Sequence, residues 1–350
     1  MNETTIGARV VPDGKLSFPF EGMPAPGEAM EVAPGVHWLR MPLPFQLNHI
    51  NLWLIEDDGG FAIVDTGINA PEVKDQWHAV VANVMAGRKV TRLFVTHMHP
   101  DHIGLAGWLC AEHDVRLWIT RTEWLMHKML FHESVEVSRI QAEFCRENGL
   151  GEEWLEQIAR AGYHNRVVAA PVSYRRIQDN EVIEIGGRSW RVIVGTGHAP
   201  EHACLYCEEL QVLISGDQIL PKITPNVSLW GNEAEANPLR RYLRSLEKFR
   251  PLPPETLVLP SHNLPFIGLH TRLDQLVRHH ELRLAEIVDA CDRPKTAAEI
   301  VPILFRRQLD EHQMGFAMGE SLSHLTYLAE AGRLKRERGA DGIIRYRRPH

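Results

Sequence analysis

KVTRLFVTHMHPDHIG, residues 89–104, runs from a strand-like segment into four ligand-type side chains within six residues: His97, His99, Asp101 and His102. Apolar and β-branched residues dominate the first half, the composition of a strand buried in a sheet. Alternation along extended backbone sends His97 and His99 to one side, and Pro100 then turns the chain so that Asp101 and His102 open a helix. The two pairs can therefore face different ions. Asp101 alone would be explained as a helix cap. A cap does not account for three histidines at one strand end, and the cluster reads as a metal site.

Upstream, VHWLRMPL, HINLWLIED and GFAIVDTG are short strands starting near residue 35, separated by polar or glycine-containing turns. Pro71 to Gly87 changes to a helical period, with Val73, Trp77, Val80, Val81 and Val84 on one face. Downstream, IGLAGWLCAEH is helical and VRLWIT is a strand. Residues 121–166 break this order with EWLMHKMLFH, VSRIQAEFCREN and EEWLEQIARAGY, a helical insertion. Strands return with SYRRI, VIEI, SWRVIVG, ACLYCEE and QVLISG, where Gly186 and Gly187 form a hairpin turn. The helix PLRRYLRSLEKF, the strand TLVLP and a long helix from about Leu269 to Cys291 follow. Two sets of strands and helices predict a layered α/β sandwich with helices outside each sheet. The pattern changes near Asp292 to Lys295, dividing the chain into residues 1–292 and 293–350. The second part reads as three helices and a hairpin, RLKRER-GADG-IIRYRR, with an Asp-Gly turn, like a winged helix-turn-helix module.

The 350 residues include 38 Lys plus Arg, 45 Asp plus Glu and 44% hydrophobic residues, with a formal charge of −7. This balance fits a soluble globular protein and excludes a disordered or polybasic chain. No window holds the roughly 18 unbroken apolar residues of a membrane span. The first 30 residues lack the apolar core of a signal peptide. A cytoplasmic location with no membrane association is expected. Cys110, Cys145, Cys204, Cys207 and Cys291 are an odd count without framework spacing, so structural disulfides are not expected. Cys204 and Cys207 form a CxxC inside a strand-like run and read as strand residues. The unusual number is 19 histidines, imidazole being the commonest metal ligand among side chains.

THMHPDHIG resembles the HxHxDH signature of the metallo-β-lactamase-fold hydrolases. The rest of that family's pattern follows in order: DTG at 65–67, GTGHAPEH through His198, SGD through Asp217 and PSH at 260–262 through His262. The resemblance covers roughly residues 30–290 and implies an α/β fold, a four-layer αββα sandwich with metals at one edge between its sheets. Carried over by position, it implies that His97, His99 and His198 hold one metal and that Asp101, His102 and His262 hold a second. Asp217 would bridge them, with Asp65 hydrogen-bonding behind the ligand loops. Taken singly, His198 also reads as a loop residue, Asp217 as a strand-end acceptor and His262 as a solvated turn residue. Nitrogen-rich, thiolate-free ligation suits two Zn2+, with manganese or iron as alternatives. The full HxHxDH pattern, in place of the acidic HxExD variant of diiron relatives, implies hydrolysis over oxidation. The implied nucleophile is a hydroxide bridging ions about 3.5–4 Å apart, with its pKa lowered to about 7. Asp101 would orient it and accept its proton; no separate general acid is identified.

The leading expectation is cleavage of a small ester, thioester or lactone, in the manner of glyoxalase II and lactonase relatives. The insertion carries Trp124, Leu125, Met126, Met129, Leu130, Phe131 and Phe144, which would suit a cover over a substrate with an acyl or apolar part. Packing on the sandwich explains the same residues equally well. The alternative is a phosphodiesterase or ribonuclease, since relatives that cleave RNA also carry a winged-helix-like tail. From residue 294 onward there are ten basic and seven acidic residues, +3, which leaves −10 on residues 1–293, a poor surface for tracking phosphates. Arg333, Lys335, Arg336, Arg338, Arg345, Arg347 and Arg348 could still form a local patch. A β-lactamase is a weaker third reading, and a metal-sensing nucleic-acid-binding regulator is the non-enzymatic one. Leu322, Leu325, Leu328 and Ala331 form an apolar stripe that favours packing, including a homodimer contact. Of the other histidines, His127 and His132 read as half-exposed and His279 and His280 as a solvated face. His202, four residues after His198, reads either as support for the site or as a helix-start residue.

Overall fold

The computed structural model describes residues 15–160 and 162–349. Residues 1–14, part of the stretch read above for a signal peptide, lie outside it, as do residues 161 and 350. The first half runs β1 (Met30–Ala33), β2 (Val36–Pro42), β3 (His49–Asp57), β4 (Gly60–Val64), α1 (Pro71–Ala79), β5 (Lys89–Phe94), α2 (Pro100–Ile103), α3 (Ala106–His113) and β6 (Leu117–Ile119). The insertion follows as α4 (Arg121–His132), α5 (Ser134–Glu147) and α6 (Glu152–Arg160). Then come β7 (Tyr174–Arg176), β8 (Val182–Ile185), β9 (Arg188–Gly195), β10 (His202–Cys207), β11 (Val212–Gly216), α7 (Pro238–Leu246), β12 (Leu257–Pro260), β13 (Phe266–Ile267) and α8 (Leu269–Ala290). The chain ends with α9 (Ala297–Leu304), α10 (Glu311–Glu330) and the hairpin β14 (Lys335–Arg338) and β15 (Ile344–Arg347).

Among the described residues, β1 to β7 form one sheet in sequence order, and a second sheet has the order β13-β12-β11-β10-β9-β8. Side-chain parity builds the layers, because successive residues of a strand face opposite sides. In β3, Trp53 and Ile55 point into the core between the sheets, while Ile50, Leu52 and Leu54 pack with Val73 and Trp77 of α1. In β10, Ala203, Leu205 and Cys207 enter the inter-sheet core, and Cys204 and Tyr206 join Leu273 and Leu276 of α8. Strands buried on both faces read as continuous apolar runs, which is how they appeared in the sequence. The expected αββα sandwich is thus observed. Gly186 and Gly187, at φ 58° and 73°, make the two-residue turn that pairs Ile185 with Arg188.

Helices α5 and α6 insert Phe144, Leu155 and Ile158 into the core that covers the outer face of the second sheet. Trp124 and Phe131 of α4 pack on the opposite layer. Most of the insertion is therefore packing, with Leu125 left 51% exposed. The tail joins the same core through Leu322, Leu325 and Leu328, whereas Ala331, expected on that stripe, is exposed beyond the helix end. Three helices were expected in the tail, and two are observed among the described residues. Residues 311–330 form one continuous helix through Gly315 and Gly319, started by a capping box between Asp310 and Gln313.

His280, expected on a solvated face, is fully buried. It lies on the stripe Leu269, Leu273, Leu276, His280, Leu284 and Ile287, and its Nδ1 meets His324 Nε2 of α10 at 3.1 Å. All five cysteines are free and buried, and no described helix is long and apolar enough to cross a membrane.

Candidate metal centre

Strands β4 and β5 are parallel, as are β11 and β12, and β9 and β11 both run opposite to β10. The loops leaving β4, β5, β9, β11 and β12 carry Asp65, His97 with His99, His198, Asp217 and His262, and β10 begins with His202. All seven side chains expected to hold metal meet there. Donor atoms of His97, His99, His198 and Asp217 lie within 4.8 Å of one another, as do those of Asp101, His102 and His262. His97 Nε2 is 2.9 Å from His99 Nδ1 and 3.1 Å from His198 Nε2. The Asp217 carboxylate faces both groups, 3.4 Å from His198 Nε2, 3.6 Å from His102 Nε2 and 3.3 Å from His262 Nε2. Asp101 closes the second group, 3.6 Å from His102 Nε2 and 3.4 Å from His262 Nε2.

Three of the rings are aimed by the atom behind them. His198 Nδ1 donates to the Asn226 carbonyl at 2.7 Å, His262 Nδ1 to the His49 carbonyl at 2.9 Å, and His102 Nδ1 to Asp65 at 2.8 Å. These partners only accept, so the hydrogen sits on Nδ1 and the Nε2 lone pair turns inward. Asp65 also accepts from the Thr96 N–H at 2.8 Å, at φ 64°, a conformation that aspartate tolerates better than most residues. His202 plays a different part: its Nε2 accepts from the Asp217 N–H at 3.0 Å, so its lone pair is used and it supports the site.

Further supports lie outside the expected set. Glu123 of α4, fully buried, accepts from the N–H of Met98 at 2.9 Å and of Glu201 at 2.7 Å, tying together the loops of His97 and His198. Asn51 donates to the carbonyls of Pro260 at 2.9 Å and Asn263 at 2.8 Å, bracing the His262 loop. His127, expected half-exposed, is buried and meets the Tyr163 hydroxyl at 2.8 Å, and Tyr163 in turn donates to Met98 O at 2.6 Å. The signal for Asn51 was a lone polar residue within an apolar run, whereas Glu123 follows the polar stretch Thr120 to Thr122 and carries no such mark. Nothing local named their partners.

Electrostatically the two groups differ. Burial, reinforced by neighbouring imidazoles, pushes His97 well below the usual histidine range and His99 down to about 3, so both rings stay neutral with lone pairs free. Burial opposes ionisation of Asp101, yet the imidazoles of His102 and His262 outweigh it and hold the carboxyl at about 2. Burial likewise opposes a charge on His262, but the carboxylates of Asp217 and Asp101 raise it to about 10. The same negative field would attract a cation. Two buried atoms, His102 Nε2 and Asp217 Oδ1, make no hydrogen bond. Unpaired polar atoms buried among converging donors are costly without an ion. The residues fit a pair of divalent cations.

Residues 46–262 match the profile described as the metallo-beta-lactamase superfamily, and residues 284–349 that of the metallo-beta-lactamase-like C-terminal domain. The fold is similar to the crystal structure of a beta-lactamase domain protein from Burkholderia ambifaria, with 47% identity, 95% of this chain and 98% of that chain covered, and a TM-score of 0.90. The chain is 24% identical to the probable metallo-hydrolase YqjP of Bacillus subtilis (strain 168), over 83% of this chain and 91% of that protein. It is 25% identical to the acyl-coenzyme A thioesterase MBLAC2 of Gallus gallus, over 53% of this chain and 63% of that protein.

Proposed function

The chain belongs to the metallo-β-lactamase superfamily, and from that membership we propose a dinuclear zinc hydrolase that cleaves a small ester, thioester or lactone. One observation carries this reading: seven inward-facing nitrogen and carboxylate donors fall into two groups, with Asp217 turned to both. His97, His99 and His198 would hold one ion, Asp101, His102 and His262 the other, and Asp217 both. No thiolate contributes. The nearby Cys204 thiol donates to Ser215 O at 3.3 Å, and burial pushes its pKa well above the usual range.

When bound, two such ions lower the pKa of a water to about 7 and polarise the scissile carbonyl. The chain's own residues supply position and proton transfer. Asp101, whose side chain is 19% exposed against 10% for Asp217, is the more open of the two ligand-type carboxylates, and would orient an incoming water and accept its proton. Asp65, Asn226 O and His49 O keep the rings from turning, so little reorganisation is needed during reaction.

The relative named as an acyl-coenzyme A thioesterase supports the thioester branch. The nuclease reading has weak support at the tail: Arg338, Arg345 and Arg347 pair with Glu147, Asp341 and Glu337 at 2.9, 2.7 and 2.9 Å, and Arg348 donates to Val288 O. Phosphate would have to displace those partners. The test is metal analysis of the purified protein, then turnover of short acyl thioesters, lactones and a phosphodiester reporter after zinc loading. Two ions per chain with acyl cleavage is expected; phosphodiester cleavage alone would overturn the substrate class.

A further inference from the structure

We infer that helix α10 is a positioning element of the metal centre, acting through the contact between Gly319 and the loop that orients His198. The inference rests on His198 being a ligand, as proposed above. Between β11 and α7 the chain has only a single helical turn, at Gly231–Glu233, so the Asn226 carbonyl that receives the His198 N–H must be fixed by contacts from outside its own loop.

Three helices make those contacts. At the start of the loop, Arg272 of α8 donates to Leu220 O at 2.5 Å and Ile223 O at 2.8 Å. At its end, Gln141 of α5 accepts from the Gly231 N–H at 2.7 Å. Beside Asn226 itself the hold is α10. The Leu229 N–H donates to Gly319 O at 2.9 Å, and Ser228 Oγ lies 3.4 Å from Phe316 O and 2.6 Å from Asn226 Oδ1. The Phe316 ring adds an edge contact to Trp230, 5.9 Å between centroids. The approach is close enough to require glycine: a Cβ on Gly319 would stand 2.6 Å from both Cβ and Oγ of Ser228. In an open helix an alanine is the better residue. Here it must push the loop or the helix aside, carrying the Asn226 carbonyl away from His198.

Removing the partner behind a ligating histidine typically costs 10- to 100-fold in metal affinity. Gly319→Ala should therefore weaken one of the two zinc ions by about 10-fold or more, and leave the ion of Asp101, His102 and His262 close to its wild-type affinity. Adding Ser228→Gly removes the opposing atoms and should restore much of the loss. The measurement is stepwise zinc titration of the full chain against a chromophoric chelator, with thermal unfolding of each apo protein beside it.

Selective weakening with recovery in the double variant supports the inference. Uniform loss of both ions, an unchanged titration, or a loss that Ser228→Gly does not recover overturns it. If Gly319→Ala does not fold, Ser228→Ala, which frees the Asn226 side chain without adding bulk, must weaken the same ion, and an unchanged titration overturns the inference. A wild-type chain that binds no zinc would instead remove the metal reading itself.

Discussion

Glu123→Gln tests whether the insertion clamps the two loops of the first ligand group. In the native chain one buried carboxylate accepts from Met98 N–H at 2.9 Å and Glu201 N–H at 2.7 Å. A buried backbone donor left without its acceptor costs about 1–3 kcal/mol. Glutamine keeps one oxygen and turns an NH2 group toward the other N–H, so the expected loss is about 1–3 kcal/mol; alanine removes both acceptors and should cost about twice that. Met98 separates His97 from His99, and Glu201 follows His198 by three positions. Part of the loss should therefore appear as weaker zinc binding. Chemical unfolding of the metal-free protein and chelator competition would measure the two parts. Unfolding and zinc affinity both matching wild type in Glu123→Gln would mean that the loops hold themselves and that α4 is packing alone.

His99→Ala or Asp217→Ala should lower bound zinc and abolish hydrolysis, whereas Cys204→Ser, at a thiol kept protonated by burial, should do neither; metal content and turnover of the three proteins decide it. A second expectation concerns pH. Burial pushes Glu320 of α10 up to about 7 against a partial opposing effect of Arg283, so the folded chain holds this proton more tightly than the unfolded chain does. Between the unfolded value of about 4.5 and about 7, stability attributable to this group should then fall as pH rises, at roughly 1.4 kcal/mol per pH unit. Glu320→Gln should flatten that slope in metal-free unfolding experiments, and equal slopes in the two proteins would refute the assignment.

The sandwich was legible because its strands carry two apolar faces and end in chemistry: the step from Phe94 to His97 marks a strand end in any reading. The seven donors came together because five lie on loops that leave strand ends, where register leaves little freedom, and Asp101 and His102 open the short helix α2 that follows one of those loops. What stayed hidden depends on contacts distant in sequence. His280 sits on the apolar stripe of α8, a visible signal, but its partner His324 lies 44 residues away. Asn51 reaches the His262 loop across more than 200 residues, and no local pattern names that partner. The tail was read as three helices, yet residues 311–330 run as one helix through Gly315 and Gly319, and at Gly319 the absent side chain is what lets the helix approach its neighbour.

Tyr346, nearly the last residue described, is 1% exposed and shares a core with Leu213 of β11 and Val258 of β12. A ribosome making this chain from the amino end therefore completes both sheets and helices α5 to α8 before the part of the outer cover supplied by α10 and the hairpin exists. Until α10 and the hairpin emerge, the apolar residues they cover stay open to other chains, so nascent and prematurely terminated products should aggregate more readily than the finished chain.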